Sequence, residues 1–212
     1  MSDPRAEPRR RGAYAKGVAR RQEILDRAIE VFAERGSDRT SLRAIASAVG
    51  VTHAALTHYF GSLEELLIAV YLASGDADGE REPPSDDLTP VGMMIESART
   101  NREVPGLVQL YSSLIATALE EGHPAAKEFA TTRFARLREE LASRIAAQQA
   151  SGLIRGDVPA DAVAALVIAA SDGLQTQWLL DDAAPQHEAL AALELMLRGS
   201  ASRAPSGGDG AQ

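Results

Sequence analysis

Residues 40–60 read TSLRAIASAVGVTHAALTHYF, and this stretch decides the fold. Leu42, Ile45, Ala46 and Val49 recur at helical spacing, and Thr40 or Ser41 stands ahead of them as a cap. Gly50 stops that helix. Thr52 caps a second one, on which Ala55, Leu56, Tyr59 and Phe60 fall at apolar spacing. Two short capped helices across Gly50-Val51 make a helix-turn-helix, with Ile45, Val51 and Leu56 filling the space between them. In that motif the second helix enters the DNA major groove and offers its N-terminal residues to base edges. The Thr52 hydroxyl and the helix N-terminus supply donors for phosphate or base. His53 can donate to a base, Ala54 can meet a thymine methyl, and Arg43 suits a phosphate. A tight helical hairpin inside an all-α core has the same spacing. The outward polar cluster of Thr52, His53, Thr57 and His58, with the local charge, argues against it.

That charge is uneven along the chain. Residues 1–60 hold 11 Lys and Arg against 7 Asp and Glu, a net of +4, whereas the whole 212-residue chain is at −8 and the remainder therefore at −12. A basic module on an acidic body is the expected footprint of a DNA-facing head. Cysteine is absent, which excludes disulfides, thiolate zinc sites and thiol nucleophiles. His53 and His58 are five apart, about 140° round a helix, and cannot share one ion. No nucleophile elbow, P-loop or dinucleotide glycine pattern occurs, so an enzyme is not expected, nor a metal or cofactor. The N-terminus lacks an apolar signal region, and no apolar stretch is expected to cross a bilayer. A cytoplasmic protein without a membrane partner is expected.

Working outward, helical periodicity covers nearly everything. Ile24, Leu25, Ala28, Ile29 and Phe32 mark a helix from about Val18 to Arg35, closed by Gly36. Ser62 and Glu65 form a capping box that opens a fourth helix, from Leu63 to about Leu72. Beyond a Gly, Asp and Pro-dense break, helices are expected near 90–101, 105–121, 124–150, 160–180 and 186–198. Pro105, Pro124 and Pro185 suit first turns, and Gly122, Gly152 and Gly199 suit ends. The expected organisation is a disordered basic arm at 1–17, a DNA-binding domain at 18–77 and a linker at 78–89. A helical body follows at 90–199, and then a disordered tail at 200–212.

The segments RRQEILDRAIEVFAERG at 20–36 and TSLRAIASAVGVTHAALTHYFGSLEELL at 40–67 resemble the DNA-binding domain of the tetracycline-repressor (TetR) family of bacterial transcriptional regulators. The likeness spans roughly residues 18–77, about 60 of the 212, without an insertion. It implies an all-α homodimer with a three-helix DNA-binding head, a linking fourth helix and a C-terminal helical body for effector binding and dimerisation. It also implies a repressor that sits on a palindromic double-stranded DNA operator and is released by a small-molecule effector. The residues it turns to the operator are Thr40, Ser41, Arg43, Thr52, His53, Ala54, Thr57, His58 and Tyr59. Three positions depart from the family's habit. His53 stands where Lys is frequent, Thr57 where Tyr is frequent, and Leu63 where Lys is frequent. The departures at 57 and 63 keep open a second reading, a helical ligand-binding or scaffolding dimer whose head no longer binds DNA.

The stretch DGLQTQWLLD at 172–181 is similar to the penultimate helix of several subgroups of that family. The helix at 160–180 carries a narrow stripe of small residues, Ala162, Ala165, Ala169 and Gly173. Beside it runs a broader apolar stripe, Val163, Leu166, Val167, Ala170, Leu174 and Trp178. So wide an arc must pack on two partners, its own domain and a second subunit, or else lie at the centre of a monomer. The small stripe, together with Leu190, Leu193 and Leu197 of the last helix, is the expected dimer interface. Met93, Met94, Tyr111, Phe129, Phe134 and Trp178 can line an apolar pocket, with Gln109, Arg133 and Gln175 as polar fixers. At helical spacing each is more often plain core. That some of them touch an effector follows from the resemblance.

Overall fold

A computed structural model of the chain describes residues 7–36, 40–75 and 88–199. The described residues form nine helices: α1 (Glu7–Arg35), α2 (Leu42–Val49), α3 (His53–Phe60), α4 (Leu63–Gly75), α5 (Pro90–Glu103), α6 (Leu107–Ala118), α7 (Pro124–Ala150), α8 (Ala160–Leu180) and α9 (Gln186–Leu197). The all-α class expected from periodicity is found. Among the described residues the one β-type pairing is an isolated antiparallel bridge between Ile154 and Arg198. α1 reaches back to Glu7, through much of the segment expected to be a loose arm. Pro8 falls in the first turn of that helix, where its missing N–H costs nothing. The tail at 200–212 lies outside the described residues.

The chain divides into two compact units, Met1–Arg81 with Thr100–Thr132, and Glu82–Arg99 with Arg133–Gln212. The core of the first is built where the sequence spacing points. Ile24, Leu25, Ala28 and Phe32 of α1 are buried with Ile45, Ala46, Leu56, Phe60, Leu66 and Val70. Each fully buried aliphatic side chain of this kind contributes roughly 1.5–3 kcal/mol of transfer free energy. α6 joins them through Leu107, Leu110, Tyr111 and Leu114. Tyr71 of α4 stacks on Tyr111 at 5.3 Å and meets Phe129 edge-on at 5.5 Å. Glu64 turns from the start of α4 to the N-terminus of α7. Its carboxylate accepts from the Ala126 N–H and lies 3.0 Å from His123 Nδ1. An acid at that end of a helix complements the macrodipole.

In the second unit Val91, Met93, Met94, Leu141, Ile145, Ile154, Val163, Ala164, Val167, Ile168 and Leu190 form the core. Thr89 caps α5 by accepting from the Gly92 N–H at 2.9 Å, and its hydroxyl donates to Glu194 at 3.0 Å. Gln149 donates to the Arg155 and Val158 carbonyls at 2.9 and 2.8 Å, which ties down the loop ahead of α8. In that loop hydrogen bonds from Arg155 hold the Asp157 carboxyl below the usual carboxylate range.

Three expectations are corrected here. α8, with 21 residues, is long and apolar enough to cross a membrane by length and composition, although no such stretch was expected. Its Val163, Ala164, Val167 and Ile168 are core of the second unit, and a core helix passes the same test. Leu166 belongs with the exposed stripe and not with the buried one, since 63% of it is accessible. On α9, Leu190 is buried, and Leu193 and Leu197 pack against the unit's own core. The face they share is turned toward that core. Leu195 and Met196, 62% and 68% exposed, are what α9 turns outward.

Candidate nucleic-acid interface

The helix-turn-helix is set by its caps. Ser41 takes the extended backbone of an N-cap, and its hydroxyl accepts from the Ala44 N–H at 3.2 Å. Gly50 closes α2 at φ 73°, in the left-handed region that favours glycine, and the Val51 N–H returns to the Ala46 carbonyl at 3.0 Å. Thr52 is the next N-cap and accepts from the Ala55 N–H at 3.1 Å. That bond uses an oxygen lone pair, so the Thr52 O–H proton stays available to a phosphate.

α3 buries one narrow side, Leu56 and Phe60, against the core of the first unit. His53, Ala54, Thr57, His58 and Tyr59 are all exposed, as are Ser41, Arg43 and Thr52. Neither α2 nor α3 contains an Asp or Glu, so no carboxylate on either helix would repel a polyanion. The His58 and Tyr59 rings meet edge-on at 6.0 Å at the C-terminal end of α3.

Two expected contact residues have their hydroxyls engaged within the chain. Thr40 is buried, and its hydroxyl donates to the Gly36 carbonyl just after α1. Ser41, one residue on, takes the capping role that the sequence left open between them. Thr57 is exposed, but its hydroxyl donates back to the His53 carbonyl at 3.1 Å, which occupies its proton. Leu63, where a lysine is frequent in the resembling family, packs against the head's core.

Arg20 and Arg21 of α1 were not singled out in the sequence. Arg20 donates to the Val49 carbonyl at 3.4 Å, near the end of α2, and also pairs with Glu23. The Arg21 guanidinium lies over the Phe60 ring, 5.1 Å from its centroid. The available signal was spacing. Arg21 precedes Ile24 by three and Leu25 by four, which brings it round toward the face that packs on the motif.

The expected effector residues do not form one cluster within a unit. Tyr111 and Phe129 surround Tyr71 in the first unit, and Gln109 is exposed there. In the second unit Met93 and Met94 are core, and Phe134 packs against that core. Gln175 is buried and lies 3.5 Å from the Ser171 hydroxyl, while Arg133 and Trp178 are half-buried.

Residues 24–70 match the family described as bacterial regulatory proteins, tetR family. Residues 93–200, just over half the chain, match the C-terminal family of BetI-type transcriptional repressors. The HTH-type transcriptional repressor Rv1474c of Mycobacterium tuberculosis is 28% identical over 157 residues, covering 74% of this chain and 81% of the relative. The HTH-type transcriptional repressor AcnR of Corynebacterium efficiens is 29% identical over 159 residues, with the same two coverages of 74% and 81%. Among solved structures, Salmonella enterica GusR superposes with a TM-score of 0.66 at 25% identity, over 92% of this chain and 96% of GusR. A TetR transcription regulator from Haloarcula marismortui shares the fold, with a TM-score of 0.66 at 20% identity over 84% of this chain and 94% of its own.

Proposed function

Because this chain belongs to the tetR family of bacterial regulatory proteins, and so to the DNA-binding transcriptional regulators, we propose that it is a repressor that binds a palindromic operator as a homodimer and is released by a small-molecule effector. The observation that carries the reading is the exposed, acid-free face of α3, opened by the Thr52 cap and rigidly seated through Leu56 and Phe60. Thr52, His53 and Ala54 lie at the helix end that meets base edges in a helix-turn-helix. Arg43, Ser41 and Tyr59 surround it as phosphate contacts. Repression is favoured because two curated relatives are named repressors.

Two heads are needed because one motif reads too few base pairs for genomic specificity. The exposed Ala162, Ala165, Leu166, Ala169 and Gly173 of α8, with Leu195 and Met196 of α9, supply the self-complementary apolar patch that a twofold dimer requires. For the effector, Met93, Met94, Phe134 and Trp178 offer an adaptable apolar lining in the second unit, with Gln175 to fix a polar group.

A mobility shift on a duplex selected from genomic fragments tests the DNA claim. Wild-type affinity should fall steeply with salt, because phosphate neutralisation releases counterions. Thr52→Ala should bind about tenfold more weakly, since it loses both a phosphate donor and the cap, the latter worth about 1 kcal/mol. Arg43→Ala should weaken binding evenly across sequences and flatten the salt dependence. If Thr52→Ala and Arg43→Ala both bind as wild type does, α3 is not the reading helix.

A further inference from the structure

We propose that Arg21 of α1 is a further DNA-contacting residue, a phosphate clamp held in place by the aromatic ring at the end of the recognition helix. The proposal rests on α3 being the DNA-reading helix. Two other arginines of α1 are engaged with carboxylates, Arg20 with Glu23 and Arg27 with Glu30. Arg21 makes no ion pair among the described residues, is exposed, and has its guanidinium carbon 5.1 Å from the Phe60 centroid. The Tyr59 ring lies 6.2 Å from the same Phe60 ring, so Arg21 and Tyr59 flank one aromatic group where α3 ends.

Stacking a guanidinium on a ring holds the face of the ion and leaves its edge free. The N–H donors point outward in the plane, where they match the two oxygens of a phosphate. Fixing the side chain beforehand also removes much of the ordering cost that a free arginine would meet on binding. Arg21 is therefore a preorganised cation with open donors beside a phenol already placed for the backbone, on the basic segment of an acidic chain.

The test is an anisotropy titration of full-length protein on its selected duplex, between about 50 and 200 mM salt. Arg21→Gln should lower affinity about tenfold or more and reduce the slope of log K against log salt by about 0.9 for each head bound. Arg21→Lys keeps a charge without the fork, and should retain the slope with a loss of a few-fold. Thermal melting of both variants shows whether the head stays folded. A wild-type slope in a folded Arg21→Gln variant, whatever its affinity, would overturn the clamp and leave Arg21 as a cover for Phe60. A wild-type protein that binds no duplex would instead overturn the regulator reading, and the clamp with it.

Discussion

Ala169→Glu is expected to sediment as a monomer and to lose operator binding by more than about 100-fold, with the DNA-binding head unchanged. Ala162, Ala165, Ala169 and Gly173 form an exposed small-residue stripe on α8. Leu166, 63% exposed, borders it, and Leu180 at the end of the helix is 84% exposed. In the proposed dimer, small residues let two backbones approach closely, and the flanking leucines and Met196 of α9 supply the area. In that proposed seam a glutamate at 169 would place a carboxylate near its symmetry mate without a counter-charge, a cost of several kcal/mol. Affinity then collapses because two half-sites can no longer be held one helical turn apart. A variant that stays dimeric at micromolar concentration and binds the operator normally would show that the stripe faces something other than a second subunit.

Gly106→Ala should be the most damaging single methyl in the first unit. Gly106 has φ 79°, a region that costs a residue with a Cβ about 1–2 kcal/mol. A Cβ there would also stand 2.9 Å from both the Cα and the Cβ of Ala33, so α6 would have to lift off α1. Overpacking of that kind adds about 1–3 kcal/mol. Gly50→Ala is the matched control, with φ 73° and no atom within 4 Å of the added methyl. Gly50→Ala should lose only the backbone share. Gly106→Ala should melt several degrees lower still, at about 2–4 °C per kcal/mol for a chain of this size. Equal melting temperatures for the two would mean that the α1–α6 contact yields without cost.

What the sequence made legible was local. Ser41 or Thr40, Gly50, Thr52 and the apolar spacing of Ile45 and Leu56 set out the motif, because caps and turns depend on residues within four positions of each other. The helix order of the body was readable for the same reason. Orientation was not. Leu190, Leu193 and Leu197 share one side of α9, but spacing alone cannot say whether that side meets its own unit or a partner. Thr40 and Ser41 are chemically alike as caps, and only the fold shows that Thr40 turns in to the Gly36 carbonyl. The Arg21–Phe60 stack spans 39 residues and the Glu64–His123 pair 59, so no local pattern announces either of them. Helix α1 extends past its apolar stripe to Glu7, through residues that give no amphipathic signal.

On the proposed reading, this chain reads DNA as a symmetric pair of helix-turn-helix heads. Selection of bound sequences from a random duplex pool by full-length protein tests it most directly. One inverted repeat should be enriched, with half-sites centred about one helical turn, or a multiple of it, apart. That repeat should vanish when Thr52 and His53 are both replaced by alanine. A pool that stays random after repeated rounds, or that enriches the same sequence with both residues replaced, would contradict it.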